Sequence, residues 1–161
     1  MINMNQYLEA LSQHQQQLEK ADKHTQPQWM MPLTLAYIGD ALFETYVRHH
    51  LICQSATNLH RLHCRTVSYV NASAQAQMVK ALAPLLTQRE ADIVRRGRNG
   101  KTGSIPRNAD MGEYRYATGF EALLGWLFYQ GETERLLMLM GKAVDLLDES
   151  LEEEAKIHGA L

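Results

Sequence analysis

One apolar stretch constrains this chain more than any other. Residues 34–51 read T-L-A-Y-I-G-D-A-L-F-E-T-Y-V-R-H-H-L, with an aspartate directly after a glycine in the most apolar part. Leu35, Ile38, Leu42 and Tyr46 recur at three- and four-residue spacing, which predicts a helix laid against a core. Asp40, Glu44 and Arg48 fall four residues apart and line a second, polar stripe. Glycine in a helix interior costs roughly 1 kcal/mol relative to alanine, so Gly39 points to close approach by another backbone. Asp40 then has two readings. It is either the capping or ion-pairing acid of an ordinary core helix, or a carboxylate that holds a metal ion at the edge of the core.

Composition narrows the setting. The 161 residues suffice for one domain with a real core. No apolar run approaches the ~20 residues that a membrane crossing needs, and residues 1–28 are polar, glutamine-rich and without the apolar segment of a signal peptide. No membrane partner is expected. Cys53 and Cys64 make no disulfide framework, so a reducing cytoplasm is the expected location. A net charge of −2 argues against a protein that coats nucleic acid non-specifically. The charge is nonetheless polarised: residues 93–109 contain Arg95, Arg96, Arg98, Lys101 and Arg107 and no acid, whereas residues 141–161 are strongly acidic.

Helical patterning runs through the whole chain. Residues 3–23 form a polar helix with Tyr7, Leu8, Leu11 and Leu18 as its few anchors, broken at Gln26 and Pro27. The apolar helix follows from about Pro32. A single helix is then expected from a cap at Thr57 or Asn58 to about Ala83, burying Leu59, Leu62, Val67, Val70, Met78, Val79 and Leu82. Thr87 and Glu90 stand in capping-box positions ahead of the inward-facing Ile93 and Val94. After an irregular stretch over residues 97–108, a helix over 111–129 buries Phe120, Leu123, Leu124, Leu127 and Phe128. Gly131 breaks it, and a last helix spans about 133–157. The expected fold is all-α, a bundle of six or seven helices, with residues 1–32 as a helical extension and 33–161 as the main domain.

Three constellations carry chemistry. Residues 95–108 read R-R-G-R-N-G-K-T-G-S-I-P-R-N, and cations, glycines and small hydrogen-bonding residues together suit phosphate contacts. The alternative is a solvated surface loop. Its glycines lack the spacing and the preceding strand of a nucleotide-binding P-loop. His49, His50, Cys53, His60, His63 and Cys64 cluster in sequence, but without the paired spacing of zinc sites. Solvated or hydrogen-bonded histidines and small buried thiols are expected there. The third is Glu121, an isolated acid between Phe120 and Leu123 in Y-R-Y-A-T-G-F-E-A-L-L-G-W-L-F, with Gly125 permitting close packing. A lone buried carboxylate is unfavourable without a cation. Two such helices packed together place Asp40 and Glu121 by one Mg²⁺, unless they are two unrelated structural acids.

These residues carry a resemblance. Y-I-G-D-A at residues 37–41 with Glu44 resembles the ribonuclease III signature helix, and F-E-A-L-L-G at 120–125 resembles the second acidic motif of that family. The basic loop between them is similar to that of the mini-ribonuclease III branch, which is the catalytic domain alone. The resemblance spans residues 33–139. It implies a ribonuclease III endonuclease-domain-like bundle forming a homodimer that cuts double-stranded RNA with Mg²⁺ and leaves 5′-phosphates. By the same resemblance, Asp40 and Glu121 are the catalytic and metal-binding residues. Arg95, Arg96, Arg98, Asn99, Lys101, Thr102 and Arg107 are the RNA-binding set. The family role is maturation of the 23S ribosomal RNA precursor.

The sequence departs from larger ribonucleases III at Ala36 and Thr118, where they carry a glutamate and an aspartate. Fewer direct protein ligands and more water around the metal are expected. The same thinning of carboxylates leaves a second reading, a catalytically weak duplex-RNA-binding or ribosome-assembly module.

Overall fold

A computed structural model describes residues 3–19, 30–54, 58–100 and 110–159. The described residues form seven α-helices: α1 Met4–Glu19, α2 Pro32–Gln54, α3 Leu59–Val70, α4 Ala72–Leu82, α5 Gln88–Arg98, α6 Met111–Tyr129 and α7 Thr133–Gly159. A single 3-10 turn, Ala83–Leu85, joins α4 to α5 around Pro84. No strand occurs among the described residues, as the absence of period-two patterning predicts. None of the described helices is long and apolar enough to cross a membrane.

The architecture is organised around α6. From Ala117 to Phe128 every residue of α6 except Glu121 is buried, as expected of a helix surrounded on all sides. All five side chains that the sequence assigns to its core are there. Phe120 meets Phe43 of α2 edge to face, with ring centroids 5.1 Å apart. On α2 the buried stripe is Leu35, Leu42, Phe43, Val47 and Leu51, flanked by the half-buried Ile38 and Tyr46. α7 packs Leu136, Leu139, Met140, Ala143, Val144 and Leu147 inward at three- and four-residue spacing. α1 lies on α7 and α6 and places Leu8 in the common core.

Local signals set the helix ends. Thr87 and Glu90 form the expected capping box, Thr87 N–H donating to Glu90 Oε2 at 2.7 Å. Gly131 adopts φ 72° and closes α6, with Gly131 N–H donating to the Phe128 carbonyl and Glu132 N–H to that of Leu127. This is the paired pattern that favours glycine at a helix C-terminus.

The segment after Asn58 departs from expectation. It is two helices rather than one, and Asn71 is the reason. Its side chain accepts from Ala74 N–H and caps α4, while its own N–H donates to Val67 at the end of α3. An asparagine in extended conformation (ψ 158°) competes with helix continuation through these local bonds. The break turns α3, so Leu59 (81% exposed) and Val67 point outward and Thr66 and Tyr69 are buried instead. Tyr69 donates to Asp148 of α7 across the bundle.

Candidate active site

Asp40 and Glu121 come within electrostatic range of each other because α2 and α6 touch backbone to backbone. A side chain at Gly39 would collide with the Glu121 carbonyl oxygen, and one at Gly125 with the Leu35 carbonyl oxygen. The contact is reciprocal, one glycine from each helix. α5 makes a similar approach to a second face of α6. A Cβ at Gly97 would lie 2.9 Å from the Gly119 Cα, and one at Gly119 would lie 2.7 Å from the Val94 carbonyl oxygen. Four glycines therefore bring three helices together within two turns around Glu121.

The electrostatics follow from that closeness. Glu121 has its carboxyl pushed up to about 8, first by burial and then by the charge of Asp40, against a hydrogen bond from Gln75 that draws it down. Asp40, nearer solvent, is also raised, by burial and then by Glu44. Glu44 itself is held by Arg48 through an ion pair of 2.5 Å, so the polar stripe read from the sequence exists as a stripe. No cation of the described residues pairs with Glu121 or Asp40.

The positions where larger relatives carry carboxylates contribute none here. Ala36 is buried, and buried Thr118 spends its hydroxyl on the Tyr114 carbonyl at 3.0 Å. Among the described residues no group of three or more His, Cys, Asp or Glu converges. The donor set is two carboxylates and the carboxamide of Gln75, whose buried Oε1 has no partner. That set fits a hard divalent cation that keeps several waters. It does not fit a closed four-ligand zinc site. The histidine–cysteine cluster separates into pairs such as His49–Cys53 and His60–Cys64, with contacts of 3.8–4.0 Å. Both cysteines are exposed, not buried as expected, because they lie on the outer faces of α2 and α3.

The basic segment begins as the last turn of α5, beside the part of α6 that carries Glu121. Arg95 pairs with Asp92 at 2.8 Å, Arg96 is exposed, and Asn99 caps the helix. Arg98 folds back over Tyr116, 5.3 Å from the ring centroid, and donates to its hydroxyl at 3.2 Å. Lys80 approaches the same ring at 4.7 Å. Lys101, Thr102 and Arg107 lie outside the described residues. Sequence reasoning missed Lys80 and Gln75, since nothing local marks either one.

The ribonuclease III domain family matches residues 33–132. The chain belongs to the ribonuclease III family, in its mini-ribonuclease III branch. It is 47% identical to the Mini-ribonuclease 3 of Thermoanaerobacter sp. (strain X514) over 120 residues, covering 74% of this chain and 84% of the relative. It is 45% identical to that of Symbiobacterium thermophilum over 122 residues, covering 76% and 94%. A crystal structure of a Fusobacterium nucleatum protein superposes with a TM-score of 0.64 at 28% identity, covering 71% of this chain and 91% of that one. The protein is thus an endoribonuclease, with RNA as its partner. The matched residues take in α2 to α6, and α1 and the whole of α7 lie outside them.

Proposed function

We propose that the protein cleaves double-stranded RNA with one Mg²⁺ held between Asp40 and Glu121. The observation that carries this reading is the pair itself: two carboxylates brought together by glycine packing, with Glu121 pushed up to about 8 and, among the described residues, no cationic side chain paired with it. Such a pair becomes favourable when a divalent cation joins it. A bound Mg²⁺ supplies a lowered pKa for its water and neutralisation of charge on the phosphate. Asp40, the more exposed acid, faces the substrate side, and Glu121 anchors from within.

RNA engagement is assigned to Arg95, Arg96, Arg98 and Asn99 with Lys101, Thr102 and Arg107. A-form RNA is recognised by shape, phosphates and 2′-hydroxyls rather than by a long base sequence. The working unit is a homodimer. Ile52 and Leu59 are exposed apolar residues that line an open groove with Arg48, Leu62, His63 and Thr66, the kind of surface a second subunit covers. A cytoplasmic role in maturing the 23S ribosomal RNA precursor is carried over from the family resemblance. Residues 33–161 make the catalytic domain, and 1–32 its extension.

Incubating the purified protein with a duplex RNA, with Mg²⁺ or with EDTA, tests the reading. Cleavage only with Mg²⁺, lost in Asp40→Asn without loss of fold, is the expected result. Cutting by Asp40→Asn at the wild-type rate overturns the assignment. Duplex binding without cutting by the wild type supports the binding-module alternative.

A further inference from the structure

Gln75 is the side chain that the nuclease chemistry has not yet explained. It stands in the first turn of α4 and is 1% exposed. Its Nε2 donates to the Val70 carbonyl at 3.2 Å, and the same carboxamide hydrogen-bonds the Glu121 carboxylate. Both neighbours are acceptors once Glu121 is ionised, as it is when it holds a cation, so the amide group then faces them with its two N–H donors. That orientation leaves Oε1 over. Among the described residues it is the buried side-chain oxygen or nitrogen atom without a hydrogen-bond partner.

Leaving a buried amide oxygen unpaired is destabilising, and an apolar side chain of similar shape would avoid the penalty. A donor must therefore meet Oε1 in the working state. With Glu121 ionised, the groups of α2 and α6 at the cation site do not provide it. Ala36 has no donor, the Thr118 hydroxyl is committed to Tyr114, and Asp40 and Glu121 are acceptors when ionised. A hydrated cation between the two carboxylates brings water molecules whose hydrogens need acceptors.

We propose that Gln75 is a positioning residue of the cation site: its N–H groups fix the Glu121 carboxylate, and its Oε1 accepts from a water in the cation's shell. It thereby does part of what carboxylates at positions 36 and 118 do in larger relatives. This inference rests on the two-carboxylate cation reading above.

The test uses the full chain and Mn²⁺ as the probe, followed by calorimetric titration and by thermal unfolding with and without the ion. Gln75→Leu should weaken Mn²⁺ binding at least fivefold and shrink the Mn²⁺-induced rise in Tm. RNA binding in EDTA should stay within twofold of wild type. Gln75→Glu adds a third carboxylate, so it should lower Tm in EDTA and give a larger Mn²⁺-induced rise than wild type. Equal Mn²⁺ affinities in all three proteins overturn the proposal. If Gln75→Leu does not fold, Gln75→Glu decides: a Tm loss equal with and without Mn²⁺ marks a purely structural residue. A wild type that binds no Mn²⁺ refutes the underlying cation reading, a result distinct from unequal behaviour of the variants.

Discussion

Gly39 of α2 faces the main-chain carbonyl of Glu121 on α6 with no room for a side chain between them. The neighbouring Gly125 returns the contact against the Leu35 carbonyl. Interhelical distance is set by the residues at the contact, and here it is set by hydrogen atoms. The two acids therefore share one site because two glycines allow their helices to touch.

Gly39→Ala should separate those helices. The gain in helix propensity is roughly 1 kcal/mol, but the new methyl group meets a backbone carbonyl that cannot rotate away. Overpacking of this kind costs about 1–3 kcal/mol, and a rigid backbone puts the site at or beyond the upper end. A net loss of about 2 kcal/mol in urea unfolding is expected, with a drop in cleavage rate. A loss below about 0.5 kcal/mol with full activity would show that the contact is not tight.

Stability should fall with rising pH when divalent ions are chelated. Unfolded, the Glu121 carboxyl ionises near 4.5, and in the fold it does so at about 8. Between these values the unfolded chain has released a proton that the native state retains, so this contribution is full below 4.5 and lost on the way to 8. Glu90 acts oppositely. Its carboxyl is lowered chiefly by the hydrogen bond from Arg135, so its contribution is present above 4.5 and is lost as pH falls. Glu121→Gln should flatten the neutral limb of Tm against pH and leave the acid limb. Saturating Mn²⁺ should flatten the same limb in the wild type. A variant curve parallel to wild type from pH 5 to 8 would contradict this.

Asn71→Ala should cost about 1–2 kcal/mol, the usual range for losing a helix N-cap. The loss should come without change in the metal dependence of cleavage, since Asn71 touches neither acid. Retained stability would mean that α3 and α4 had merged into one helix, readable as an increase in helical circular dichroism.

Arg96→Ala is the cleanest probe of the basic face, because Arg95 has Asp92 and Arg98 has Tyr116. It should raise KM for duplex RNA several-fold, leave kcat nearly unchanged, and lower the slope of log affinity against log salt by about 1. The combined Arg96→Ala, Arg98→Ala and Lys101→Ala protein should lower it further. An unaltered salt slope in the triple variant would remove this segment from the RNA interface.

Helices, caps and the two acidic motifs were legible in the chain because the physics behind them is local. A three- and four-residue apolar spacing, a threonine three residues before a glutamate, and a glycine beyond a periodic run each act within a turn or two. The α3–α4 break is also local, yet an asparagine carrying two caps inside an apolar pattern reads the same as a solvent-facing one. Leu59 and Val67 were assigned inward for that reason.

By itself, then, the sequence determined the all-helical architecture, the placement of Asp40 and Glu121 beside glycines, and membership of a nuclease family. Only the tertiary structure decided that Gln75 meets Glu121 and that Thr118 is spent on its own helix. It also decided that Arg98 turns back onto Tyr116 and that the Glu121 carboxyl ionises at about 8. Burial and charge coupling depend on which distant helices meet and how closely. Spacing along one helix carries no record of that distance.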